Sequence, residues 1–202
     1  MQPGGAEANV EIHTGPPRRP LRTAPVPAAE PVHGGQAERA EAAARCDRLL
    51  RDTLDAVRPE LAWRHGPTRT GTRLLAPGSG PDGGAVHWYV SRSLDIVTVI
   101  SPARRPELPG MVAAAWQRRG WRLTSVNAGR PLPGLAAVTP DGYRLGLEFG
   151  PLGQARLTAA SPGTAARPGW SAEAADAAPL PGAGGGTAAL PRIRCAFWSA
   201  LG

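Results

Sequence analysis

The sequence predicts an α+β fold in which two helices pack on one face of an antiparallel sheet of four to six strands. Three observations predict this fold: two segments repeat apolar residues at helical spacing, several segments alternate apolar and polar residues, and turn-forming residues separate them. We expect the order α-β-β-α-β-β-β within one domain that covers residues 36–160.

Both helices are predicted from apolar residues that recur every three or four positions. The first lies between Gln36 and Pro59 and places Cys46 on its apolar stripe, where a small buried side chain is expected. The second begins with Pro106 at its first position, because proline fits the first turn of a helix, and it ends at Gly120, because glycine favours the helix C-terminus.

The strands are predicted from alternation and from β-branched or aromatic content. Residues 61–65 form a short strand and residues 66–72 a loop. Residues 85–101 fit either one long strand or a hairpin that turns at residues 93–95, and we favour the hairpin. Residues 121–127 alternate, and a meander follows with a turn at Pro140-Asp141-Gly142; its strands are residues 134–139, 143–149 and 155–159.

Two segments outside the domain are predicted to be disordered tails. Residues 1–35 and 161–202 are rich in alanine, glycine and proline and show no apolar period, so they bury too little surface to offset chain entropy. The last stretch, residues 190–202, carries Ile193, Phe197 and Trp198. It is either a docking segment or an end without a structural role.

The charge of the chain is strongly basic, and it comes from arginine alone. All 23 basic residues are arginine, the formal net charge is +7 and the isoelectric point is about 11.0. Such a charge favours nucleic acid or an anionic membrane as partner, although abundant alanine, glycine and proline indicate a GC-rich coding bias that explains part of it. Neither a membrane span nor a secretory signal is predicted. We therefore expect a cytoplasmic protein, or an exported one if the true start lies upstream.

No catalytic, metal or cofactor site is predicted. The run Gly78 to Gly83 matches G-x-G-x-x-G, but a strand follows it and no helix begins within it, so we interpret it as a loop. The histidines lack metal-site spacing, and Cys195 permits a disulfide with Cys46. A hydrolase would need His65 as general base with an acid such as Asp95 or Glu148.

One surface carries candidate binding residues. Strand alternation places several arginines on the sheet face opposite the helices, together with an aromatic residue; the candidates are Tyr89, Arg122, Arg144 and Arg156, with His87 in the same phase. An open sheet face with arginine and an aromatic ring holds single-stranded nucleic acid through phosphate contacts and base stacking. The alternative is an ordinary hydrated sheet face.

The segments MVAAAWQRRGWRLTSVN and TPDGYRLGLEFGPLGQARLTAASP resemble a group of small actinobacterial, Streptomyces-type α+β proteins. The resemblance covers about residues 40–162 and implies a single domain. Many such proteins are exported or lipoprotein-like, and none supplies an activity. They often carry a disulfide between the early strand and a position after the last one, where this chain has His87-Trp88-Tyr89 and Ser161-Pro162-Gly163.

We therefore expect a monomeric, non-enzymatic domain that binds an unknown partner or serves the cell envelope. The first alternative is a nucleic-acid or polyanion binder that uses the arginines of the open sheet face. The second is a small hydrolase.

Overall fold

The computed structural model describes residues 33–74, 86–127, 132–165 and 189–201. The predicted α+β class and antiparallel sheet are confirmed, and this part of the chain contains eight strands rather than four to six. The elements are α1 (His33–Leu54), β1 (Trp63–His65), β2 (Arg69–Leu74), β3 (Val86–Ile96), α2 (Glu107–Arg118), β4 (Arg122–Val126), β5 (Gly134–Val138), β6 (Arg144–Phe149), β7 (Ala155–Ala160) and β8 (Thr164–Ala165).

The sheet is built around β3, its longest strand. β1 and β2 pair with one edge of β3, β7 and β8 pair with the other, and the order continues through β6 and β5 to β4, with every pair antiparallel. The predicted hairpin is wrong, because Ser93 and Asp95 pair with β7 within one continuous strand. The predicted loop at residues 66–72 is also wrong from Arg69 onward, where β2 satisfies the backbone groups of β3 along its second edge.

The two helices cover one face of this sheet, as predicted. Cys46 and Leu50 of α1 and Trp116 of α2 are fully buried in one cluster with Leu147 and Leu157 of the sheet. Because alternate residues of a strand point to opposite faces, the residues between these sheet positions lie on the other side. We call that side the open face.

The end of α2 shows how the sequence sets an element boundary. Gly120 has a φ of +72°, its N–H donates to the carbonyl of Gln117, and the N–H of Trp121 donates to the carbonyl of Trp116. These two bonds, with the Trp116 and Trp121 rings 6.3 Å apart, form a Schellman motif and its apolar contact. The prediction that Gly120 ends this helix is confirmed.

The C-terminal segment corrects the predicted tail. Residues 189–201 lie against the domain, and Trp198 is fully buried in the core, where its Nε1 donates to the carbonyl of Pro59 at 2.8 Å. The N–H of Val99 donates to Ile193, and the N–H of Ser101 donates to Trp198. Residues 164–165 are likewise not a tail, since they form β8. The docking alternative for residues 190–202 is therefore correct for the part that the structure describes.

The remaining tail predictions, for residues 1–32 and 166–188, lie outside the described residues, as does the loop predicted at Gly78 to Gly83. The described residues belong to one compact unit, Pro31–Gly202. None of the helices in the described ranges is long and apolar enough to cross a membrane.

Candidate functional site

The open face contains a cleft of about 580 Å³. We call it the arginine cleft; its lining residues are Arg69, His87, Tyr89, Ser91, Gly142, Arg144, Ala160, Ser161, Pro162 and Gly163. The cleft forms because the neighbour of β3 changes: Ser91 pairs with Ala160 of β7, whereas His87 pairs with Ala165 of β8. The segment between these two strands, residues 161–163, forms one wall.

Two arginines lie on opposite sides of the cleft. A single row of cross-strand pairs connects them, namely Arg69 on β2, Ser91 on β3, Ala160 on β7 and Arg144 on β6. The two residues between the arginines have short side chains, so they form a floor. Three strand spacings separate the two backbones, which is about 14 Å. An anion seated on this floor is therefore within reach of a guanidinium from each side.

Both guanidiniums are available to a ligand. Arg69 and Arg144 are exposed, and neither has an ion-pair or side-chain hydrogen-bond partner among the residues that the structure describes. Within the same ranges no aspartate or glutamate lines the cleft. Arginine donates two parallel N–H hydrogen bonds to the oxygens of a carboxylate or phosphate, so its planar guanidinium is suited to binding these anionic groups.

Tyr89 provides an aromatic ring beside this row. It pairs with Gly71 on β2, and a Cβ on Gly71 would lie 2.9–3.0 Å from the Oη, Cε1 and Cζ atoms of Tyr89. The ring therefore lies across the glycine and is held against the sheet. Any side chain at position 71 would displace it, so glycine at this position fixes the placement of the ring.

His87 lies at the enclosed end of the cleft. The residue is only 6% exposed, and its Nε2 is buried without a hydrogen-bond partner in the described part of the chain. A Cβ on Gly163 would lie 3.2 Å from the Cβ of His87, so the two segments that the resemblance singled out lie side by side. A buried imidazole nitrogen without a hydrogen-bond partner lowers the stability of the fold unless a ligand provides that partner.

The four predicted site residues have different surroundings. Tyr89 and Arg144 both line the cleft. Arg122 lies exposed on β4 at the edge of the sheet, in the same cross-strand row as Arg144. Arg156 is instead committed to structure: its Nε donates to Oδ1 of Asp95 at 2.7 Å. Asp95 is buried and also accepts a hydrogen bond from the N–H of Ala189.

The sequence does not indicate Arg69 as a site residue, because residues 66–72 contain two glycines and a proline, a composition typical of a loop. A weaker signal was present: Arg69, Gly71 and Arg73 alternate with Thr70 and Thr72, a two-residue period compatible with a strand. The unpaired state of the His87 nitrogen has no sequence signal, because it depends on what packs around it.

A second cavity, of about 440 Å³, lies beside α1 on the other side of residues 161–162. Two of its charged residues pair with each other: Arg45 donates to Asp141 at 3.3 Å, and both residues line the cavity. Burial alone would raise the pKa of Asp141, but hydrogen bonds from Thr139 and its own backbone, with Arg45 nearby, lower it. Burial, followed by the charges of Cys46 and Asp141, raises the pKa of Tyr143. Glu38, Glu41 and Asp141 face Arg45 and Arg48 in this lining, so it has one more negative than positive charge and does not favour an anion.

Asp47, which lies on α1 among arginines, pairs with an arginine of the sheet. The guanidinium of Arg92, which is 3% exposed, donates to both carboxylate oxygens of Asp47 at 2.8 and 2.9 Å. The pair connects α1 to the middle of β3. Cys46, next to it, is buried as predicted, and burial, with the charge of Asp47, raises its pKa to about 12. Cys46 and Cys195 are both free, so the alternative of a disulfide between them is wrong.

The structure does not bring His65 together with Asp95 or Glu148, the grouping that the hydrolase alternative named. His65 pairs with Leu94, so its side chain belongs to the helix-covered side of the sheet, whereas Asp95 and Glu148 lie on the open face. Asp95 is also occupied by Arg156. The described ranges contain no group of three histidine, cysteine or acidic residues that could hold a metal ion.

No family model, curated protein or solved structure matches this chain. The resemblance to small actinobacterial proteins therefore stays a prediction.

Proposed function

We infer that this chain is a binding domain whose arginine cleft holds a compact anionic ligand. One observation carries the proposal: Arg69 and Arg144 lie on opposite sides of a floor of short side chains, with no acidic residue of the described ranges in the lining. An anion on that floor gains charge-assisted bonds from both sides. The walls at residues 142 and 161–163 limit its size.

The composition of the open face favours a compact ligand over a long one. Two rows further along the strands on this face, Asp95 pairs with Arg156, which pairs with Glu148, so that row alternates in sign. The arginines of this face that have no ion-pair partner among the described residues, Arg69, Arg144 and Arg122, lie in the row of the cleft, and the first two line it. A polymer lying along the strands would pass the exposed carboxylate of Glu148.

A nucleic-acid strand is the second candidate, and Arg122 favours it. Arg122 pairs with Val138, which pairs with Arg144, so three arginines share one row across the sheet. A strand bound across the sheet, rather than along it, would contact all three. Its affinity would fall steeply with added salt, because each neutralised phosphate releases counterions.

Thermal unfolding with added anions tests the first candidate. We expect inorganic phosphate and pyrophosphate to raise the melting temperature of the full chain, because a ligand that binds only the folded state stabilises it. Arg69→Gln and Arg144→Gln should each reduce this rise. Arg122→Gln is the matched control, since it removes an arginine from the same row but outside the cleft. A rise that is absent in the wild type, or equally reduced in Arg122→Gln, would contradict the proposal.

A short oligodeoxythymidylate tests the second candidate in the same variants. Salt-sensitive binding that Arg122→Gln weakens as much as Arg144→Gln would identify the strand-binding mode. Binding of pyrophosphate with no binding of the oligonucleotide at low salt would remove it.

A further inference from the structure

Building on the proposed anion site, we propose that the arginine cleft recognises a phosphate ester that carries a planar heteroaromatic group, of which a nucleoside monophosphate is the simplest. Three features of the open face are arranged in sequence along β3. Ser91 lies between the arginines, Tyr89 is next on the same face, and His87 follows at the enclosed end.

The spacing of these features sets the length of the ligand. Successive same-face residues of a strand are about 7 Å apart, so Ser91 and His87 are separated by about 14 Å. An isolated anion such as phosphate occupies only the arginine end of the cleft. A ligand that uses the whole cleft therefore has a charged end, a middle part and a second polar end.

The arginine end favours phosphate over carboxylate. Each guanidinium presents five N–H donors in a fixed plane, and Arg69 and Arg144 approach from opposite sides of the floor. A carboxylate has two oxygens and is satisfied by a single guanidinium. A phosphate monoester has three terminal oxygens, so it accepts from both arginines at once.

The middle of the cleft favours a flat ring. The ring of Tyr89 is held across Gly71 and lines the cavity, so its position is fixed before a ligand binds. A heteroaromatic base stacks on such a ring without any requirement for a particular base. A ligand with a flexible aliphatic middle part would gain less from this surface.

The enclosed end of the cleft favours a ligand whose ring carries a polar group. His87 is more than nine-tenths buried, lines the cleft and leaves Nε2 without a partner among the described residues. A neutral imidazole nitrogen either donates or accepts, depending on the tautomer. Because Nε2 itself has almost no exposed surface, the imidazole must turn toward the cleft to pair with a ligand. The ring nitrogens and exocyclic groups of a nucleobase then supply a matching partner, whereas a purely hydrocarbon ring does not.

Calorimetric titration of the full chain tests the proposal with adenosine 5′-monophosphate and uridine 5′-monophosphate. The comparison ligands are ribose 5-phosphate, which lacks the base, and adenosine, which lacks the phosphate. We expect at least one nucleotide to bind about tenfold or more tightly than both comparison ligands. Tyr89→Leu should weaken the nucleotide by about fivefold to a hundredfold, the range for loss of one stacked base, and leave ribose 5-phosphate unchanged.

Two further variants separate recognition from folding. His87→Phe keeps a ring of similar shape and removes the unpaired nitrogen, so we expect an unchanged or higher melting temperature together with weaker nucleotide binding. Arg122→Gln should bind all four ligands as the wild type does.

The two proposals fail in different ways. Nucleotides that bind no more tightly than ribose 5-phosphate would overturn the nucleotide proposal and leave the anion site standing. No binding of any phosphate compound would overturn both. If an oligonucleotide binds and neither mononucleotide does, the proposal of a compact ligand is overturned in favour of a nucleic-acid strand.

Discussion

Replacing Trp198 by alanine tests whether the C-terminal segment is part of the folded core. The side chain is fully buried, packs edge-on against Phe197 with ring centroids 5.0 Å apart, and donates a hydrogen bond to the carbonyl of Pro59. Truncation of a buried tryptophan to alanine costs about 3–5 kcal/mol. We expect Trp198→Ala to lower the free energy of unfolding by about 4 kcal/mol, a large part of the roughly 5–15 kcal/mol typical of a domain.

Urea unfolding followed by far-ultraviolet circular dichroism measures this loss. The midpoint should fall while the slope stays near that of the wild type, since the surface exposed on unfolding changes little. Trp198→Phe keeps a ring and removes the N–H donor, so we expect an intermediate loss of about 1–2 kcal/mol. Leu201→Ala is the control, because that side chain is 89% exposed and its loss should stay within about 0.5 kcal/mol. A loss below about 1 kcal/mol in Trp198→Ala would refute the assignment of this segment to the core.

Two further predictions concern stability in alkali and backbone conformation. The pKa of Cys46 is raised from 9.0 to about 12, chiefly by burial, so the thiol contributes stability that is fully present below pH 9 and is lost as the pH rises toward 12. Between about pH 9 and 11 this loss of unfolding free energy is on the order of 3 kcal/mol. Urea unfolding should show the loss in the wild type and not in Cys46→Ala. An equal alkaline loss in both proteins would contradict this prediction. Gly120→Ala and Gly110→Ala should have opposite effects on the melting temperature, although a Cβ meets nothing within 4 Å at either position. Gly120 has a φ of +72°, where a side chain lowers stability by about 1–2 kcal/mol. Gly110 lies within α2, where alanine raises stability by up to about 1 kcal/mol. Melting temperatures that change in the same direction in both variants would argue against this account.

The candidate site was only partly predictable from the sequence. Alternation correctly placed Tyr89 and Arg144 on the open face, because the two-residue period of a strand is a local property. It could not distinguish Arg144 from Arg156, since the difference depends on Asp95, a residue 61 positions away that pairs with Arg156. Arg69 was missed because β2 is stabilised by pairing with β3 rather than by its own glycine-containing sequence.

The sequence by itself determined the fold class, both helices and the turn at residues 140–142. Those features depend on local periodicity and on single residues such as Gly120 and Gly142, which adopt positive φ. Only the tertiary structure decided that residues 86–96 form one strand and that Trp198 enters the core. Both outcomes result from contacts between segments far apart in the chain, where hydrogen-bond pairing and burial outweigh the local composition that suggested a turn and a tail.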